Sequence, residues 1–244
     1  MHPYLKEVLE TKTVLTPEGS GREINSQISI EEGLFLQRII REIQPRVSLE
    51  IGVAFGVSSM FICEALREVG AHRHICIDIG PLRKRETGEL DRYGLGLLNL
   101  ERCGYGNMIE SYEMPSELAL PELLQEGRKV DFVFIDGWHS FDHCLLDFFY
   151  ANRLLNVGGA VAFHDADGKP VMKAIRCVSR YPAYRLLGEV RKRRVIGAAH
   201  RQGIRVLGGY VLDLLRLLQP NPPTCVALRK VAEDERTWSW YKDF

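Results

Sequence analysis

The sequence predicts an α/β protein: a doubly wound, mostly parallel sheet of seven strands with helices on both faces. Three observations point there. Short apolar runs with polar or acidic ends alternate five times with stretches of helical apolar spacing, the pattern of a parallel sheet whose crossovers are helices. The first run, residues 47–51, leads through two glycines four apart, Gly52 and Gly56, straight into a helical pattern. At 244 residues, and without the bias of disordered or fibrous chains, the composition suits one large domain with a well-buried core.

Residues 1–29 read as polar and irregular, with Thr16-Pro17-Glu18-Gly19-Ser20-Gly21 as a flexible piece. They are expected to form an arm or lid ahead of a single domain over 30–244. Ser29-Ile30-Glu31-Glu32 marks a helix start, Leu34, Ile39, Ile40 and Ile43 give that helix an apolar face, and Pro45 stops it. Strand 47–51 and its glycine turn follow, then a helix over 57–69 and a buried strand over 74–78 that closes on Asp78. The charged segment 80–96 reads as a loop. A helical piece over 95–102, a weak strand over 107–112 and a short helix over 118–124 lead to 130–136, the clearest strand, which ends in Asp136.

An amphipathic helix over 142–155, stopped by Asn156, precedes Gly158-Gly159 and a fifth strand over 160–165, with His164 and Asp165 at its end. Beyond it come a helix over 171–179, a strand over 184–190, an insertion over about 191–224 and a last strand over 225–231. Within the insertion, apolar residues repeat at helical spacing over 206–218; packing on the chain's own sheet, a homodimer interface and a pocket wall all fit that face.

Lys plus Arg equals Asp plus Glu at 32 each, so overall charge favours no nucleic-acid partner. Locally, Arg185, Arg191-Lys192-Arg193-Arg194, Arg201 and Arg205 stand against Glu189 alone. That stretch reads as a solvated loop, because aromatic residues do not interleave it; contacts to RNA or to a phosphate-bearing substrate are the other reading. The six cysteines are scattered without a Cys-x-x-Cys pair and read as reduced core residues. With no apolar signal core and no apolar run of membrane-spanning length, the expectation is a soluble cytoplasmic protein.

Ligands of parallel sheets bind beyond the carboxyl ends of the strands, and Glu50, Asp78, Asp136, His164 and Asp165 all fall at such ends. Glycine at the first turn lets backbone come close to a ligand, and the following helix start, with Ser58 in its first turn, offers free N–H groups. The Gly-x-x-x-Gly spacing lacks the Gly-x-Gly that approach to a dinucleotide pyrophosphate uses.

Three stretches together resemble the class I S-adenosylmethionine-dependent methyltransferases, within them the small-molecule O-methyltransferases of the catechol and macrolide-sugar branch. They are Glu50-Ile51-Gly52-Val53-Ala54-Phe55-Gly56, Phe134-Ile135-Asp136-Gly137-Trp138-His139-Ser140 and Gly158-Gly159-Ala160-Val161-Ala162-Phe163-His164-Asp165. The resemblance runs from about residue 30 to 165 and implies a Rossmann-like fold, S-adenosyl-L-methionine as cofactor and a small hydroxylated molecule as acceptor. It places Glu50, Gly52, Gly56 and Ser58 at the methionine end of the cofactor, Asp78 on the ribose, Ser116 near adenine and Asp136 beside the cofactor. It implies a divalent metal, Mg²⁺ or Mn²⁺, on Asp136, His164 and Asp165, with an imidazole where related enzymes use acidic or amide ligands. His139 becomes the candidate proton acceptor, with Asp136 as its catalytic companion, and Trp138 a pocket residue. A non-catalytic or nucleic-acid-binding protein on the same fold is the alternative, with the basic stretch supplying its contacts.

Overall fold

Seven strands form one sheet in the order β5-β4-β3-β6-β7-β9-β8, and the way the chain enters it fixes where a ligand can sit. The computed structural model describes residues 1–25, 27–71, 73–82, 87–191 and 221–243. The central strand β3 (Val47–Ile51) pairs in parallel with β4 (Arg73–Asp78) on one side and with β6 (Val130–Ile135) on the other. Outward from there, β5 (Ile109–Glu113) joins β4, and β7 (Leu155–Phe163) joins β6, both in parallel. The edge is antiparallel: β9 (Pro223–Lys230) lies between β7 and β8 (Tyr184–Arg191). The crossovers turn opposite ways on either side of the β3–β6 pair, so this is the switch point of the sheet, where parallel α/β folds open a crevice.

Both faces are covered because both faces of the strands are apolar. One core joins Phe132, Phe134 and Ala162 to α2 (Ile30–Ile43) and α3 (Val57–Glu68) through Leu36, Ile40, Met60 and Phe61. The other joins Leu49, Ile75 and Val133 to α5 (Ser116–Gln125), α6 (Phe141–Leu154) and α7 (Lys169–Val178) through Leu120, Leu123, Phe148 and Ile175. Helix α4 (Arg92–Arg102) packs beside the first core through Tyr93 and Leu100.

The N-terminal segment departs from its reading as irregular chain. It folds as α1 (Pro3–Thr11) and a hairpin of β1 (Thr13–Leu15) and β2 (Gly21–Glu23), and it buries Leu5, Val8, Leu9, Val14, Ile24 and Ile28 in the α2–α3 core. The side chains at 5, 8 and 9 fall on one helical face, a three-residue signal submerged among polar neighbours. Two boundaries also move. The last residues of segment 80–96 belong to α4, and β7 starts at Leu155 without an intervening turn, its register shifting opposite the start of β6. The basic run from Lys192 to Arg205 and the apolar repeat of 206–218 lie outside the described residues. No described helix is long and apolar enough to cross a membrane. Five of the six cysteines are buried, and all six are free.

Candidate active site

A cavity of about 460 Å³ opens at the carboxyl ends of β3, β4, β6 and β7, at the switch point of the sheet. Its walls include Gly52, Ser58, Asp78, Ser116, Asp136, His139, His164 and Asp165, so eight of the nine residues expected at cofactor, catalytic or metal positions other than Gly56 meet in one space. The ninth, Glu50, and Gly56 do not line it.

Glu50 lies fully buried behind the β3–α3 turn. The Ser58 hydroxyl donates to Glu50 Oε1, the Ser59 hydroxyl donates to Oε2 at 2.5 Å, and His74 Nε2 stands 2.9 Å from Oε2. His74 Nδ1 in turn meets Ser48 Oγ at 2.8 Å. The acid therefore fixes Ser58, which does line the cavity, instead of meeting a ligand itself. Removing an acceptor that serves three buried donors leaves each of them unpaired. Glu50→Ala is accordingly expected to lower the unfolding free energy by about 3 kcal/mol in a urea titration, and a loss below about 1 kcal/mol would contradict this account.

Asp78 reaches back over the glycine turn: Oδ2 accepts from the amides of Val53 and Ala54 at 2.8 Å each, and Oδ1 from Gly80 at 2.7 Å. An ionised carboxylate has about four lone-pair sites, so it can hold the turn and still accept from a ligand hydroxyl. Gly52 and Gly56 both take positive φ in that turn, +86° and +74°. Opposite them, α5 begins at Ser116 without a side-chain cap, so its first amides have no partner within the helix.

At the β6 and β7 ends the charged groups crowd together. Asp136 Oδ1 takes contacts from two imidazoles, His164 Nδ1 at 2.9 Å and His139 Nε2 at 3.2 Å. His139 Nε2 is also 3.3 Å from Asp165 Oδ2, and His164 Nε2 is 3.5 Å from Glu32 Oε2. Asp165 sits at φ +49°, a left-handed conformation that Asp tolerates better than most residues. Burial works against a charge on His164, but hydrogen bonds to Asp136 and Glu32 overcome it and raise the imidazole to about 10. Burial also pushes Glu32 up, yet hydrogen bonds from His164, Thr224 and Ser29 outweigh it and bring the carboxyl down to about 2. His139 is raised as well, first by its bond to Asp136, with burial and the neighbouring His164 pulling the other way.

A methyltransferase-domain family model matches residues 49–166, which run from the middle of β3 past the end of β7 and so include the strand ends around this cavity. Over these residues the chain is similar to methyltransferase domains. Among the proteins similar to this chain is caffeoyl-CoA O-methyltransferase 2 of Petunia hybrida, 28% identical over 55% of this chain and 52% of that one. Tapetum-specific methyltransferase 1 of Arabidopsis thaliana is 29% identical over 66% of this chain and 63% of its own length. The chain thus spans between about half and two thirds of the length of these relatives. The O-methyltransferase TomG of Streptomyces achromogenes, solved with SAM, shares the fold with a TM-score of 0.64 at 16% identity, over 95% of this chain and 91% of that chain.

The three residues expected to hold a metal meet at these strand ends, and His139 stands beside them. Asp136, His139 and Asp165 offer one ligand atom each within 4.8 Å of one another, and His164 Nδ1 lies 2.9 Å from Asp136 Oδ1 and 3.6 Å from Asp165 Oδ2. Both nitrogens of His164 face carboxylates. Glu32 went unrecognised in the sequence as a site residue. Ser29-Ile30-Glu31-Glu32 signals a capping box, and Glu32 is indeed bonded to the Ser29 amide and hydroxyl at 2.7 and 2.8 Å. Its second contact, across to His164, depends on β7 and has no local signature. Asn25, Gln27 and Ile28 also line the cavity, which brings the N-terminal segment to its rim. Trp138 stands 65% exposed beside it, available to an incoming ring rather than packed away.

Proposed function

We propose that this protein transfers the methyl group of S-adenosylmethionine to a hydroxyl of a small molecule. The observation that carries the reading is the juxtaposition, in one cavity, of a glycine turn held by Asp78 with an Asp136–His139 pair. The O-methylating names of the relatives, and a fold neighbour solved with SAM, agree with it.

Methyl transfer is an in-line displacement: the acceptor oxygen attacks the methyl carbon, the carbon–sulfur bond breaks, and the sulfonium leaves as a neutral thioether. The acceptor proton needs somewhere to go. His139 Nε2–H donating to Asp136 fixes the imidazole tautomer and leaves Nδ1 as the nitrogen that accepts that proton. Asp136 and Asp165 then stabilise the imidazolium that forms. Ser58 and the glycine turn wall the methionine end, Asp78 meets the ribose, and the α5 start meets the base.

A second reading rests on the three converging donors. Asp136, His139 and Asp165 would hold a divalent cation such as Mg²⁺ or Mn²⁺, which when bound lowers the pKa of an acceptor hydroxyl. The two uses of His139 exclude each other at any one moment.

Calorimetry with S-adenosylhomocysteine should give micromolar binding that weakens at least about tenfold in Asp78→Ala, because that change removes both a ribose acceptor and the clamp on the turn. A wild-type protein that does not bind the product cofactor ends this reading. Full activity in EDTA supports His139 as the proton acceptor, whereas activity lost to EDTA and restored by Mg²⁺ or Mn²⁺ supports the cation.

A further inference from the structure

We propose that Glu32 is a positioning residue for methyl transfer: acting through the His164 ring, it holds the Asp136 carboxylate in the orientation that fixes His139. The proposal rests on the S-adenosylmethionine reading above. Glu32 does not line the cavity, whereas His164, Asp136 and His139 all do, so it acts from behind the wall.

Near the start of α2, Glu32 completes a capping box: Oε2 accepts from the Ser29 amide at 2.7 Å and from the Ser29 hydroxyl at 2.8 Å. Capping alone does not call for burial, because the same donors reach a side chain at the surface. Glu32 is nonetheless only 5% exposed, and a glutamate is almost never buried that far without a partner. A partner beyond the cap is His164, whose Nε2 stands 3.5 Å from the same Oε2. The carboxylate thus joins the start of α2 to the residue that follows β7.

The His164 ring needs such an anchor. Rotation about its Cβ–Cγ bond is a broad torsion with two nearly equivalent positions, and a half-turn exchanges each nitrogen for a carbon. Phe134, fully buried on β6, meets the ring edge-on with centroids 6.2 Å apart, but an apolar neighbour does not distinguish the two positions. The carboxylates do. Nδ1 lies 2.9 Å from Asp136 Oδ1 while Nε2 faces Glu32, so a half-turn sets carbon against both. Without Glu32, only the Nδ1 end of the ring is tied.

The consequence reaches His139 because both imidazoles meet Asp136 at the same oxygen. His139 Nε2 is 3.2 Å from Oδ1, on a ring half open to solvent. The Asp136 carboxylate also turns about a broad torsion, so the bond from His164 is what keeps Oδ1 at that place. A carboxylate that turns withdraws Oδ1 from His139, and the tautomer that leaves Nδ1 free for the acceptor proton loses its nearest partner.

The test reads the His139 ring by nitrogen NMR of histidine-labelled protein in alkaline buffer, where that ring is neutral, with His139→Gln identifying its signals. In the wild type the Nε2–H tautomer should predominate by about tenfold, the worth of one hydrogen bond to a charged acceptor. Glu32→Met, which offers no oxygen, should bring the two tautomers to within about threefold of each other. Glu32→Asp keeps the charge but falls short of His164, and should behave like the methionine variant. Glu32→Gln places an amide oxygen where Oε2 stands, so it should keep the wild-type signals. Ser29→Ala breaks the cap and leaves the His164 contact; it should lower the urea midpoint without moving His139. S-adenosylhomocysteine affinity by calorimetry should stay within about twofold in all four variants, because none of them alters a residue lining the cavity.

A wild-type ring already divided between tautomers overturns the proposal, and so does a ring undisturbed in both the methionine and the aspartate variants. A glutamine variant as disturbed as the methionine one would assign the effect to charge, and an equal disturbance in Ser29→Ala would assign it to the cap; either overturns positioning by Glu32. Should the methionine variant fail to fold, the aspartate and glutamine pair still decides. Absence of S-adenosylhomocysteine binding to the wild type is the distinct result that removes the cofactor reading, and with it the role of Glu32 in methyl transfer.

Discussion

Asp136→Asn lowers turnover by about 10²–10⁴-fold while S-adenosylhomocysteine affinity changes by only a few-fold; this is the largest catalytic effect expected of any single substitution here. The asparagine keeps the size of the side chain and removes the charge that two imidazoles share at Oδ1. His139 loses the acceptor that fixes its tautomer, and His164 loses the nearest of the three carboxylates that hold its charge. The pH profile distinguishes this cause from simple damage. A base must be deprotonated to act, and His139 is raised chiefly by Asp136, so wild-type kcat should rise with pH through a midpoint above the ordinary imidazole value. Removing the Asp136 charge lowers that midpoint, so the acid limb of the variant's residual activity should move to lower pH. Unchanged kcat, or a limb that moves to higher pH, would rule out the Asp136–His139 pair as the proton-handling unit.

The contrast between Asp136 and Glu50 shows how much of the site was legible in the sequence. Both are acids at the ends of apolar runs, which is why both were expected at the cavity. Asp136 follows the last residue of β6 and projects into the cavity, whereas Glu50 is the penultimate residue of β3 and turns into the protein, opposite Cys76 of β4 and Phe134 of β6. In register Asp136 lies two residues beyond Glu50 and on the same face, so what separates them is depth along the strand, and strand ends cannot be read from one sequence to that precision. What Glu50 does instead depends on His74, a residue on the neighbouring strand with no local link to it. The sheet itself was readable because apolar runs and helical stretches are long and repeated. Helix α1 was not, because its three core residues stand among charged ones, and their partners lie in α2 and α3. A contact such as that of Glu32 with His164 follows from topology and carries no local signature.

The glycine turn supplies the largest expected effect on folding and cofactor binding. Gly52 sits at φ +86°, where an L-residue is strained, and a Cβ there would lie 2.1 Å from the carbonyl oxygen of Asp136 and 2.6 Å from its carbonyl carbon. Both obstacles are backbone, so no rotamer change relieves them. The two chains are also tied together: the Asp136 amide donates to Ile51 O at 2.8 Å, and the Gly52 amide donates to Ile77 O at 2.9 Å on the other side. A methyl group at position 52 can be accommodated only by prising β3 from β6 at the switch point, which displaces Asp136 and the turn clamped by Asp78 together. Gly52→Ala should therefore cost more than about 3 kcal/mol of unfolding free energy and abolish measurable S-adenosylhomocysteine binding. Gly70→Ala provides the internal comparison: its φ is +76° but a Cβ there meets nothing within 4 Å, so it should cost only about 1 kcal/mol and leave binding intact. Equal losses in the two variants would mean that backbone conformation alone sets the requirement for glycine. A much larger loss at Gly52 would locate that requirement in the close approach of β3 and β6, the same approach that forms the cavity wall.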